Sequence, residues 1–169
     1  MKQPYRTLLL VFIVLLGLFG PAGATAQREQ LPPWREPLPE ARPTAGITVG
    51  NVMVSAELAL SDEDQALGLG YRNGLEPGHG MLFVFEEPAE RSFWMRGMRF
   101  CIDIIWIADG EIVGAAEGAC PDPEGTDDAD RERFLSGELV THVLEMPAGW
   151  MTDNGFGPGT SVEIPPPLG

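Results

Sequence analysis

Along residues 51–60, "NVMVSAELAL", apolar side chains recur at every second position. Val52, Val54, Ala56, Leu58 and Leu60 share one face, and a period of two predicts a half-buried strand. The period breaks at Ser61. With Asp64 three residues on, Ser61 forms a capping-box variant, and a short helix is predicted over about 62–70. The acids of its first turn suit the helix dipole. "GMLFVF" (80–85) reads as a buried strand, "RSFWM" (91–95) as a second and "FCIDIIWI" (100–107) as a third. "ADG" is a tight turn, and "EIVGAAEG" (111–118) returns as the other arm of a hairpin. "PDPEGTDDADRER" (121–133) is an acidic loop, and "LVTHVLEM" (139–146) is another strand. Pro147 and Gly155 bracket a short helix over "PAGWMTDN", and "GPGTSVEI" closes with a turn and a strand. The fold class is therefore mainly β (α+β). The expected architecture is a small closed or half-closed, antiparallel-rich β-barrel of about seven strands with two short helices.

The pattern changes at both ends of this region. Lys2 and Arg6 precede an apolar run from Leu8 to Gly20, and Ala24-Thr25-Ala26 is a small-residue cleavage site. Residues 1–26 thus read as a secretory signal peptide, with an uncleaved N-terminal anchor as the alternative. The run is short for a span of about 20 residues, so no stable membrane span is expected after cleavage. Residues 27–46 are Pro-rich, charged and without period, which predicts a linker. The folded domain is placed at 47–164 and a tail at 165–169. The expected location is extracytoplasmic, periplasmic or secreted. Loss of Lys2 and Arg6 leaves 9 basic against 25 acidic residues, a net charge of −16, and no lysine. Such a surface repels nucleic acid and anionic membrane.

The two cysteines, Cys101 and Cys120, have an oxidising compartment in which to pair. Centring the hairpin on Asp109 sets Cys101 opposite about Glu117, however, with Cys120 just beyond the pairing. A directly opposed pair is not expected from that register.

Taken together, "GLGYRNGL", "GHGMLFVFEEPAERSFWMRGM", "CIDIIWIADGEIV", "HVLEMPAGWMTDNG" and "PGTSVEI" resemble the domain-of-unknown-function 192 family over nearly all of residues 52–164. The resemblance implies a compact β-rich fold, often behind a bacterial signal peptide, and no established reaction. Two departures stand out. Gly97 and Met98 replace an Asn-Thr pair that usually follows the base at Arg96. Cys101-Ile102 stands where Pro-Leu is common ahead of Asp103.

Candidate chemistry is sparse. Met95 and Met98 form a Met-x-x-Met pair that could hold Cu(I), but methionines also fill β cores. His79 and His142 lack the spacing of a zinc set, and the acids Asp127, Asp128 and Asp130 lack the glycine and terminal glutamate of a calcium loop. A nucleophilic cysteine has no fixed histidine partner. No cofactor is expected. Asp103 and Glu145 are more telling, because each interrupts an apolar strand and must be paired or protonated if buried. Arg72, Arg96 and Arg99, with Trp94, supply planar donors and a stacking face. The leading reading is non-catalytic binding of an envelope ligand, a saccharide or small anion, at a cleft of Arg72, Trp94, Arg96, Arg99, Asp103 and Glu145. One alternative is a hydrolase or lyase with Asp103 and Glu145 as acid and base. The other is an envelope protein-interaction module. The chain is expected to be a monomer.

Overall fold

The computed structural model describes residues 42–166. The signal peptide read at 1–26, most of the linker and the end of the tail lie outside the described residues. Nine strands and two helices follow in the order β1 Thr44–Val49, β2 Val52–Ala59, α1 Asp62–Leu67, β3 His79–Ala89, β4 Ser92–Phe93, β5 Ile102–Ala108, β6 Glu111–Ala119, β7 Phe134–Leu135, β8 Val140–Pro147, α2 Trp150–Asn154 and β9 Val162–Glu163. β1 takes in Thr44–Gly46, which the sequence reading gave to the linker. The helix expected from Pro147 starts instead at Trp150, because Pro147 is still paired with Ile102 at the end of β8.

Seven strands form one mixed sheet in the order β6-β5-β8-β3-β2-β1-β9, in which β2 and β3 alone run parallel. The sheet curls until its ends meet. Glu111 bridges Ser161, the Ile112 amide donates to the Thr160 carbonyl (2.9 Å) and the Val162 amide to the Gly110 carbonyl (2.7 Å). The result is the half-closed barrel of the sequence reading. β4 and β7 make a separate two-stranded ribbon.

Strand alternation divides the core into two clusters on opposite faces of the sheet. Val54, Leu82, Ile105, Ile107, Leu144 and Met146 fill the face that the curled sheet encloses. Met81, Phe83, Ile104, Trp106 and Val143 point the other way, beneath Leu69, Phe93 and Met95 from the connecting segments. Burial on both faces explains the apolar run that follows Asp103 in β5, Ile104 to Ile107. α1 starts as expected: the Asp64 amide donates to the Ser61 hydroxyl at 3.1 Å.

The β5–β6 hairpin turns on Asp109 and Gly110 (φ 51° and 76°), the two left-handed residues of a tight hairpin turn. Its register shifts twice, between Trp106 and Ile107 and between Ile102 and Ile104. Each shift advances β6 by one residue, so Ile102 faces Ala119 rather than an earlier residue. Cys101 and Cys120 are thereby brought together and joined in a disulfide. The simple hairpin count that set Cys101 opposite Glu117 is corrected by one residue at the turn, which centres between Asp109 and Gly110, and by one at each bulge. Among the described residues, no helix is long and apolar enough to cross a membrane.

Candidate functional site

The two buried carboxylates part company. β5 and β8 pair with Ile104 opposite Glu145 and Asp103 opposite Met146. Opposed residues share a face, so Asp103 and Glu145 point to opposite sides of the sheet. They cannot act together as acid and base.

Asp103 is fully buried and belongs to the fold. Its Oδ1 accepts from the amides of Gly118 (2.8 Å) and Gly149 (3.2 Å), and its Oδ2 from Met151 (2.9 Å). One carboxylate thus fixes the second bulge of β6 and the first turn of α2. Charge-assisted bonds to three backbone donors satisfy it. The partners that a buried Asp103 requires are thus supplied by main chain.

Glu145 has no such arrangement. It is 6% exposed, and its Oε2 is buried without a hydrogen-bond partner. Burial pushes its carboxyl up to about 8, against the opposing pull of Arg72 and Arg42. At neutral pH the group is mainly protonated. It lines a cavity of about 40 Å³, roofed by residues 67–70 and walled by Phe83, Phe93, Trp94 and Arg96. That space exceeds the roughly 10–15 Å³ that one water needs.

An ion network stands beside this cavity. Arg72 forms a two-pronged pair with Glu57 (2.5 and 2.7 Å), which holds Glu57 below its ordinary range. Arg42 donates to Asp64 at 2.6 Å and lies 3.7 Å from Glu57. Its side chain is 4% exposed, and its Nη2 has no partner. Arg72 and Arg42 act on Glu145 through space; their hydrogen bonds go to Glu57 and Asp64.

On the opposite wall, Trp94 is flanked by Arg133 at 3.8 Å and Arg96 at 5.2 Å from the ring centre. Arg96 also pairs with Asp128 at 3.0 Å. The acidic loop therefore folds back on the 93–98 segment through Asp128 and Arg133. Phe93 turns inward against Phe83 (4.9 Å) and Trp106 (5.5 Å), and Met95 is buried in the same cluster. Met98 also packs against it, which accounts for both methionines as packing. Among the described residues, no group of three His, Cys, Asp or Glu side chains is placed to hold a metal ion.

Arg99 lies apart from the cavity lining and donates to Asn73 at 2.9 Å. The structure thus gathers Trp94, Arg96 and Glu145 about one cavity, sets Arg72 behind it, and separates Arg99 and Asp103. The sequence reading missed Gln65, the 67–70 roof, Arg42 and Arg133. The "GLG" ahead of Tyr71 was the available signal. Tyr71 is held at φ 67° and donates its amide to the Gly97 carbonyl (2.7 Å), so the roof is clasped to the 95–98 turn.

A second cleft of about 320 Å³ adjoins the cavity and shares Gln65, Phe83, Phe93 and Trp94 with it. That volume is at the lower end of the roughly 300–1,000 Å³ typical of small-molecule sites.

Two solved structures are similar to this chain. One is a candidate transcription regulator from Sinorhizobium meliloti, 29% identical, with a TM-score of 0.66, covering 74% of this chain and 96% of its own. The other is a protein of unknown function from Novosphingobium aromaticivorans, 26% identical, also with a TM-score of 0.66, covering 80% of this chain and 99% of its own. Among curated proteins, none matches the chain. Residues 44–164 match the family described as "Uncharacterized ACR", and the chain belongs to this family, DUF192.

Proposed function

We propose that the domain is an exported, monomeric module that binds a small polar ligand, a saccharide or small anion of the cell envelope, without turning it over. The site is the cavity at Glu145 together with the cleft beside Trp94. The observation that carries this reading is the buried Glu145, whose Oε2 lacks a hydrogen-bond partner, in the lining of a cavity. A buried polar atom without a partner costs roughly 1–3 kcal/mol, and a ligand hydroxyl would remove that cost. Trp94 and Phe93 offer apolar faces for a sugar ring. Export is supported by the leader read at 1–26 and by the disulfide, which fits an oxidising compartment. The regulator name borne by the S. meliloti protein is not carried over, because a net charge of −14 opposes nucleic-acid binding.

The test is calorimetry and thermal shift of the protein against a panel of monosaccharides and organic acids. Stabilisation that Glu145→Ala abolishes, with the fold intact by circular dichroism, supports the reading. Indifference to the whole panel refutes it and favours the protein-interaction alternative.

A further inference from the structure

The face of the sheet that Glu145 does not take ends in a cavity of its own. His142 pairs with Ile107 and Val84, which lie on the enclosed face, so its ring faces there too. His142, Leu58, Val84 and Ile164 line a cavity of about 240 Å³. The lining also takes in Leu60, which is 49% exposed, and the exposed Pro43 and Pro165, so the space can be entered from solvent. It shares no lining residue with the cavity at Glu145 or with the cleft beside Trp94. Among the described residues, no Arg, Lys, Asp or Glu stands in this lining, whose polar side chains are those of Thr44 and His142.

The Nδ1 of His142 is paired with the Thr141 hydroxyl at 2.9 Å. Its Nε2 has no hydrogen-bond partner among the described residues and is not sealed from solvent. Burial makes the ring harder to protonate, so it is neutral at neutral pH. In a neutral imidazole one nitrogen donates and the other accepts, and the turn of the Thr141 hydroxyl decides which. A ligand hydroxyl can answer either form. A carboxylate can answer only the donor form, and it would lose hydration against an apolar wall that offers no cation in return. An apolar cavity of about 150 Å³ is enough for benzene, and this one is larger. The mouths of β-barrels are recurrent sites for such ligands. We infer that this end of the half-barrel is a second binding site, for an uncharged apolar alcohol of about eight to ten non-hydrogen atoms. The hydrocarbon lies against Leu58, Val84 and Ile164, and the hydroxyl meets His142 Nε2. This site is independent of the one at Glu145.

The experiment is an NMR titration of the protein with 1-butanol, 1-hexanol, 1-octanol and octanoate at neutral pH, following the methyl groups of Ala45, Leu58, Val84 and Ile164 and the His142 ring. The alcohols should shift these signals, with affinity rising about fourfold per added methylene. Octanoate should bind roughly tenfold or more weakly than 1-octanol. Ala45 packs on the enclosed face and lines the cavity, so Ala45→Leu fills part of the space and should abolish binding. His142→Leu keeps an apolar wall without the hydrogen bond and should weaken 1-octanol by roughly three- to tenfold. Circular dichroism and the remaining methyl signals report whether each variant keeps its fold. Shifts that are absent, that fall on other residues, or that persist in a folded Ala45→Leu protein overturn the site. Octanoate binding as tightly as 1-octanol, or an unchanged affinity in His142→Leu, overturns the assignment of an alcohol held by His142. Each of these outcomes leaves the reading of the Glu145 cavity untouched, because the two linings have no residue in common.

Discussion

Glu145→Gln should change how stability depends on pH. In the unfolded chain Glu145 ionises near its ordinary value of 4.5, whereas in the fold burial holds the proton to about 8. Below pH 4.5 both states are protonated and the site costs nothing in ionisation. Between the two values the folded state binds one proton more than the unfolded state, so stability falls as pH rises. Above about 8 both states are ionised and the loss levels off. At about 1.4 kcal/mol per pH unit, the interval from 4.5 to about 8 amounts to ~5 kcal/mol. Glutamine has nearly the shape of the protonated acid and does not titrate. Its own burial adds an offset that is the same at every pH. Glu57 and Asp64 are held low, so they add stability that is lost as pH falls; both proteins share this, and it cancels. The assay is urea unfolding of both proteins from about pH 4 to about pH 9, with free energies from linear extrapolation. The variant should gain on the wild type by several kcal/mol across that range, mostly between pH 5 and 8. Parallel curves would refute the reasoning, because they would mean that Glu145 ionises in the fold as it does in the unfolded chain.

Three further outcomes follow from other positions. Asp103→Asn removes one of two acceptor oxygens and sets an NH2 among three backbone donors, so it should cost about 2–3 kcal/mol. Hydrogen exchange should quicken at Gly118, Gly149 and Met151; unchanged protection there would show that the carboxylate does not anchor these turns. Replacing Cys101 and Cys120 together by serine opens a loop of sequence separation 19 and should lower unfolding free energy by roughly 3 kcal/mol. Reductant should lower the wild type in the same way and leave the variant untouched. Gly97→Ala puts a Cβ 2.5 Å from Tyr71 Cε2 at φ +70°, so the Tyr71 ring must move and the backbone is strained. A loss of at least about 1 kcal/mol is expected, together with a changed tyrosine fluorescence or ring NMR signature. An unshifted Tyr71 would contradict the clasp between the roof and the 95–98 turn.

What could be read from the sequence was local. The alternation of β2, the Ser61 cap and the Asp109–Gly110 turn each depend on neighbours within a few residues, and each stands in the structure as expected. Two-residue strands such as β7 leave too short a period to detect. The second bulge of β6 also left no pattern, because it is fixed from outside the strand by the Asp103 carboxylate. The turn at Gly97 shows why a departure from the family pattern can be quiet. Asparagine and glycine are the residues that best tolerate a left-handed backbone, so glycine there keeps the turn that φ +70° requires. Here the Tyr71 ring occupies the space that a side chain would use.

The candidate site was half legible for a related reason. Composition flagged Asp103 and Glu145 as carboxylates in apolar strands and called for compensating charge. Which face each takes depends on the β5–β8 register, and which donors reach each depends on backbone that no residue type announces. Resolved in three dimensions, the pair becomes a contrast. Three amides satisfy Asp103, and two turns of the fold depend on it. Glu145 leaves an oxygen unmet although two arginines stand near enough to feel its charge, and both are bound to other carboxylates. A leucine or methionine at 145 would occupy the same space without the desolvation cost, as replacement of a buried ionisable group often does. The fold therefore gives a reason for Asp103 and none for Glu145. A buried, costly group that the fold does not need is best explained by what enters the cavity in front of it.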